Sequence, residues 1–341
     1  MNARAPDAAG GERRVVRAPN HLGDMVMALP GLVADGSHVV VRSWLAPLLE
    51  MAGMGERILR LGPGPRGWAR TVGALRRGRF QEGVLLTPSF SAAWLFLWGG
   101  VGRLRGTDTD GRGWMLSERI PRVSLTGLHR TAQYRMLLGQ PAEGPMPGPA
   151  LSPSPSLTDA WRRRLGGAEP VVGLFPGSNA PARRWPAERF AEVARALLAE
   201  GRRVVVVGGP GDSAAAGTVA AGAPGALNVC GETDLPGLAA LLSQLRLLVT
   251  NDTGPMHLAA AVGIPTVSVW GPSDPEETSP PGAGHVLVTG PGLACMPCRR
   301  NHCPRSGRGT MLPDAHEECM RLVDAGRVLA AVQTILDGGR S

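Results

Sequence analysis

The chain has 341 residues, 43% of them apolar and 19% charged, which is enough for two ordinary domains with sizeable cores and excludes wholesale disorder. All 36 Lys+Arg positions are arginine and they are unevenly spread: residues 1–170 carry 22 arginines against 13 acids, a net of +9, and residues 171–341 carry 14 against 15, a net of −1. A basic first half suits an anionic partner, yet aromatics at 4% are too sparse for base stacking, so nucleic acid is not the expected one.

Residues 1–12, "MNARAPDAAGGE", are small and polar. They lack the apolar stretch of a secretory leader and read as a flexible tail, which makes a cytoplasmic protein the expectation. "VV" at 15–16 reads as a first strand. A small-residue turn carrying His21, Gly23 and Asp24 follows, and "MVMALPGL" then opens a helix over 25–32. "SHVVVRSWLAPLLE" and "FQEGVLLTPSFSAAWLFLW" read as further strand-then-helix units. "AAWLFLWGGVG" at 92–102 is too short to span a bilayer. It reads as a helix packed in the core, with a surface-seeking role for Trp94 and Trp98 as the alternative. "GQPAEGPMPGPALSPSPSLTD" at 139–159 is a proline-rich seam unsuited to helix or central strand, and 141–158 is assigned as a linker.

Beyond the seam the pattern is regular. A helix at "AWRRRLGG" leads to a strand and loop at 170–178. A helix at 187–201 and a buried strand running into a glycine-rich loop at 202–212 follow. Helix 235–245, strand and loop 246–255, helix 256–263, and strand and loop 264–275 complete the series. Continuous apolar strands alternating with helices indicate parallel sheets covered on both faces. The expected architecture is two α/β domains, 13–140 and 159–341.

Three strand ends of the second domain carry chemistry. In "VTNDTGPMHLAAAVG" the turn Asp252, Thr253 and Gly254 precedes a helix, with Pro255 read at its first position. The N–H groups and dipole of a helix start favour an anion. Thr253 and His257 can add donors, while Asp252 could orient His257 or cap the helix. In "PGSNAPARRWPAERF", Ser178 and Asn179 follow a strand, and Arg183 and Arg184 offer bidentate donors to phosphate. In "GGPGD", Asp212 could accept from ribose hydroxyls. On the residues alone, an ordinary capped helix and a solvated arginine pair fit as well. Together the loops point to a nucleoside diphosphate bearing a transferable group, with "NHLGD" supplying a carboxylate from the other domain.

These stretches carry a resemblance. "RAPNHLGDMVMALP", "PARRWPAERF" and "VTNDTGPMHLAAAVGIPTVSVWGPSDPEETSP", with weaker support from "TDTDGRGWMLSERI" and "HRTAQYRMLL", are similar to the lipopolysaccharide heptosyltransferase family, of the heptosyltransferase II type. The resemblance implies a GT-B fold, two Rossmann-like domains with parallel sheets facing across a cleft. The first domain would bind the acceptor and the second the nucleotide sugar. It implies inverting transfer of heptose from ADP-L-glycero-D-manno-heptose to the lipopolysaccharide inner core, with no cofactor and no metal. The family's base falls on Asp24. Its phosphate-binding turn falls on Asp252, Thr253, Gly254 and His257, its small polar pair on Ser178 and Asn179, and its ribose acid on Asp212. Where the family reads "AKRWP", this chain reads "ARRWP", so the phosphate lysine becomes Arg183. Ser178–Asn179 also departs from the commoner threonine-rich form.

The implied partners are the nucleotide sugar and a lipid-linked core oligosaccharide. A transient anionic membrane surface at the inner face of the cytoplasmic membrane goes with them, and a monomer is expected. Another nucleoside diphosphate sugar, or a nucleotide-sugar-binding protein without turnover, remain the alternatives. "GALNVCGETDLP" at 225–236 is the loop expected near the base.

The cysteines stand apart from this chemistry. Cys295, Cys298, Cys303 and Cys319 include a CxxC that could be a zinc half-site, a disulfide or free thiols. Cys230 reads as a core residue. Five cysteines at this length do not make a secreted disulfide framework.

Overall fold

The computed structural model describes residues 13–142, 151–166, 170–303 and 317–338. The tail assigned to 1–12 and residues 143–150 of the linker lie outside the described residues. Each half builds one parallel sheet. In the first, β1 (Arg14–Arg17), β2 (His38–Arg42), β3 (Ile58–Leu61), β4 (Glu82–Leu85), β5 (Arg103–Thr107) and β6 (Glu118–Ile120) lie in the order β3-β2-β1-β4-β5-β6. In the second, β7 (Val171–Phe175), β8 (Arg203–Val206), β9 (Leu227–Asn228), β10 (Leu247–Asn251), β11 (Thr266–Trp270) and β12 (His285–Thr289) lie in the order β12-β11-β10-β7-β8-β9. Counted from its own first strand, the second sheet has the wiring of the first. Both are doubly wound, Rossmann-type sheets.

The strands that form reliably are the apolar ones. All five residues of β7, of β10 and of β11 are buried, because helices cover both faces. Val172, Leu174, Val249 and Val267 meet Phe190, Leu197 and Val332 in one core, and Val15, Val40, Leu85 and Phe96 belong to another. The Ala187–Ala199 helix buries Phe190, Val193, Ala194 and Leu197, the spacing of one helix face.

The chain divides into two compact units, Met1–Asn20 with Ala28–Gly144, and His21–Met27 with Pro145–Ser341. Three local expectations change. His21, Gly23 and Asp24 do not share a turn. The helix runs Leu22–Asp35, its first turn held by the Met25 N–H on the His21 carbonyl at 2.8 Å, and Asp24 suits the positive end of its dipole. The seam is not helix-free either. The Pro155–Arg164 helix starts inside it, because proline is tolerated where a helix N–H would lack a partner anyway. Finally, the Phe90–Trp98 helix buries only one face. Phe90, Trp94, Leu97 and Trp98 are exposed.

Candidate active site

The site is built where the strand order of the second sheet reverses, at the neighbouring strands β7 and β10. Ligands of open α/β sheets bind outside the carboxyl ends at such a point. Asn251, the last residue of β10, is fully buried and ties two loops together. Its amide donates to the carbonyls of Pro176 at 2.9 Å and Gly177 at 3.1 Å, and its Oδ1 accepts from the Trp185 N–H at 2.9 Å. Trp185 is itself buried, with its indole N–H on the Val323 carbonyl at 2.8 Å. The loop bearing Ser178 and the start of the Ala187–Ala199 helix are thus pinned to the end of β10.

Asp252 follows. Its carboxylate accepts from Arg183 Nη1 at 3.0 Å and from the Ser273 hydroxyl, on the loop after β11. Burial pushes the Asp252 carboxyl up from its ordinary value, and Arg183 and Ser273 pull against that shift. Arg184 plays a different part, bracing its own loop through Nε on the Ser178 carbonyl at 2.8 Å. The Ser178 hydroxyl accepts from the Ala180 N–H at 3.2 Å and is buried, while Asn179 is exposed.

Thr253 is the N-cap of the Gly254–Ala261 helix. Its backbone is extended (φ −156°, ψ 168°) and its hydroxyl makes no capping bond. Pro255 takes the second helical position, not the first. His257 is buried one turn in. Asp212, from the loop after β8, accepts from the Gly209 N–H at 2.9 Å and lies against Gly177, where a Cβ would stand 2.1 Å from its Oδ1. Only glycine lets these two loops meet. The second unit also includes His21–Met27, and a Cβ on Gly23 would stand 2.9 Å from His257 Cδ2.

The loops after β7, β10 and β11 therefore share one polar web through Asn251, Arg183, Asp252 and Ser273, and Asp212 of the loop after β8 packs against Gly177. Asn251 and Ser273 were missed by sequence reasoning. Ser273 sits in "GPSDP" after β11, a fourth strand end that the same logic reaches; Asn251 carries no such signal.

The first unit supports the segment before Asp24. Buried Arg17 donates to the Ala18 carbonyl at 2.6 Å and to Asn20 Oδ1 at 2.6 Å, and burial lowers its pKa to about 10. Fully buried Arg112, in the "TDTDGRGW" loop, donates to Thr87 O at 2.5 Å and Thr107 O at 2.9 Å; burial lowers its pKa to about 10. Cys230 is half-buried and packs against the core of the second unit, with its thiol on the Gly209 carbonyl at 3.2 Å. Cys295, Cys298, Cys303 and Cys319 line one pocket, where burial first, then the neighbouring thiols, push Cys319 up to about 11. Among the described residues, no group of three or more His, Cys, Asp and Glu is placed to hold a metal ion. No helix among them is long and apolar enough to cross a membrane.

Two Rossmann-like units in one chain, with polar strand ends gathered at the switch point of the second, make a GT-B-like fold. The chain belongs to glycosyltransferase family 9 (heptosyltransferase), whose sequence profile matches residues 68–307. It is 30% identical to lipopolysaccharide heptosyltransferase 2 of Escherichia coli (strain K12) over 308 residues, 78% of this chain and 84% of that one. Among solved structures, the E. coli ADP-heptose LPS heptosyltransferase II superposes with a TM-score of 0.77 at 24% identity, over 96% of this chain and 100% of that one. A family 9 glycosyl transferase from Veillonella parvula DSM 2008 gives 0.79 at 22% identity, over 96% and 97%. The fold and family implied by the sequence motifs are those found.

Proposed function

We propose that this glycosyltransferase transfers heptose from ADP-L-glycero-D-manno-heptose to the inner core of lipopolysaccharide, with inversion and without a metal, at the cytoplasmic face of the membrane. The observation that carries the reading is the web of strand-end loops at the β7/β10 switch point, opening on the start of the Gly254–Ala261 helix. Free helix N–H groups and a macrodipole favour a diphosphate there. The names of the E. coli relatives supply the heptose and the ADP.

Chemically, inversion is a single displacement at the anomeric carbon. The acceptor hydroxyl attacks, the bond to the diphosphate breaks, and ADP leaves. Asp24 takes the hydroxyl proton, help typically worth about 10²–10⁴-fold. Its place in the first turn of the Leu22–Asp35 helix, one residue from the Gly23 that packs on His257, supports this role. Arg183 and the Thr253–His257 helix start stabilise charge growing on the leaving diphosphate, the preorganised donors that let a site work without a cation. Ser178 and Asn179 contribute to the phosphate loop, and Asp212 faces the ribose.

Two measurements on the full chain test this. ADP should bind more tightly than UDP or GDP in a nucleotide panel; the reverse order assigns another donor. Asp24→Asn should leave ADP affinity within a few-fold and cut transfer by at least about a hundredfold. Undiminished turnover ends the base assignment, and tight ADP binding with no transfer by the unaltered chain favours a binding protein.

A further inference from the structure

The Phe90–Trp98 helix is apolar on both faces. Ala92, Ala93, Leu95 and Phe96 are buried. The opposite face, at spacing i, i+4, i+7 and i+8, exposes Phe90, Trp94, Leu97 and Trp98, the last by 47%. The exposed face of a surface helix is normally polar, and one that is apolar all round has a partner. The rings form a ladder: Phe90 stacks on Trp94 with centroids 5.9 Å apart, Trp94 meets Trp98 edge-on at 5.9 Å, and Trp98 meets Trp68 at 6.1 Å.

Trp68 belongs to the Gly64–Gly78 helix, which is bound to the first by Arg76 Nε on the Trp98 carbonyl at 2.9 Å. That helix contains no acidic residue and exposes Arg66, Arg70, Arg76 and Arg77. A tryptophan ladder edged by arginines is the chemistry of a membrane–water interface. The rings seat at headgroup depth, and long cationic side chains reach lipid phosphates. We propose that these two helices form the face by which the first unit docks on an anionic lipid bilayer. The helix is nine residues long, so it can enter the interface but not cross it. A second copy is a poorer occupant, because a two-fold contact would oppose two arginine-bearing helices with no acid on either to answer them. The inference deepens the proposed reading, in that a lipid-anchored acceptor gives the docking its purpose.

The test is co-sedimentation of the full chain with phosphatidylcholine vesicles, with and without phosphatidylglycerol, at low and high salt. Quenching of tryptophan emission by brominated lipid is read in parallel. The unaltered chain should bind the phosphatidylglycerol vesicles and be quenched. Arg70→Gln with Arg77→Gln should weaken low-salt binding roughly tenfold or more. Trp94→Ser with Trp98→Ser should weaken it about tenfold or more at either salt and remove most of the quenching. Transfer to a delipidated, water-soluble acceptor should be unchanged in both variants.

No binding by the unaltered chain, or unchanged binding in both variants, overturns the proposal. So does a tryptophan variant that turns a dimer into a monomer at constant vesicle binding, which would assign the face to a second copy. Failure of the unaltered chain to bind vesicles while it still transfers to the soluble acceptor sinks the docking face alone. Vesicle binding intact without any transfer leaves the face standing and sinks the catalytic reading.

Discussion

Replacing Asn251 by alanine isolates the bond network that assembles the site. The side chain is fully buried and makes three hydrogen bonds, two from its amide to Pro176 and Gly177 and one accepted from the Trp185 N–H. Alanine leaves that N–H and two carbonyls facing a dry space. An orphaned buried group costs about 1–3 kcal/mol, and carbonyls with a second lone pair sit at the low end, so the loss should total roughly 3–5 kcal/mol. That is a large part of the ~5–15 kcal/mol that holds an ordinary domain together. Urea unfolding should show the loss in the transition of the second unit. ADP titration should show weaker binding, because the Ser178 loop is no longer pinned to β10. Asn251→Asp should be no milder: it keeps the acceptor for Trp185 but sets an uncompensated charge against two carbonyls. If Asn251→Ala costs less than about 1 kcal/mol and leaves ADP affinity unchanged, the three bonds are not what joins these loops.

Arg183→Ala should reduce the transfer rate more than donor binding, since a contact to the leaving group strengthens as charge develops there; steady-state kinetics beside ADP titration separate the two. Arg183→Lys should restore much of the rate, whereas harmless Arg183 variants beside an inactive Arg184→Ala would move the phosphate contact by one residue. Asp252 supplies a pH signature. Burial holds its carboxyl above the usual range, so the folded state binds the proton more tightly than the unfolded chain. Its stabilising contribution is complete below the ordinary value near pH ~4 and is lost as pH rises through the raised one. The unfolding free energy of the natural chain relative to Asp252→Asn should therefore decline as pH rises above about 4; a flat or rising difference would mean the Arg183 pair outweighs burial.

The central strands were legible because burial on both faces writes them as unbroken apolar runs, as in "VVGLF" and "TVSVW". Edge strands carry no such mark. Both residues of β9, Leu227–Asn228, are exposed, and β6 reads "ERI". The loops named for phosphate were legible because they follow buried strands and precede helix starts. Asn251 was not, since a polar residue at a strand end looks the same whether it faces solvent or braces a neighbour. Arg112 was hidden for a related reason: arginine is almost never fully buried without partners, and its partners are mostly backbone carbonyls, which leave no trace in composition. The Phe90–Trp98 helix misled in the other direction. Apolar content predicts burial, but it does not say against what.

The shared wiring of the two sheets has a consequence for how such an enzyme changes. Each half repeats one topological fork, between β1 and β4 in the first sheet and between β7 and β10 in the second. Asp24 follows the exit of β1; Ser178 follows β7 and Asp252 follows β10. Each exit lies outside its own sheet's core, which closes without it. Apart from Gly23, which must stay small against His257, residues beyond one fork can drift while the other, with its separate core, keeps its register. Under the proposed reading, a lineage can revise which sugar chain it extends without relearning how to hold a nucleotide.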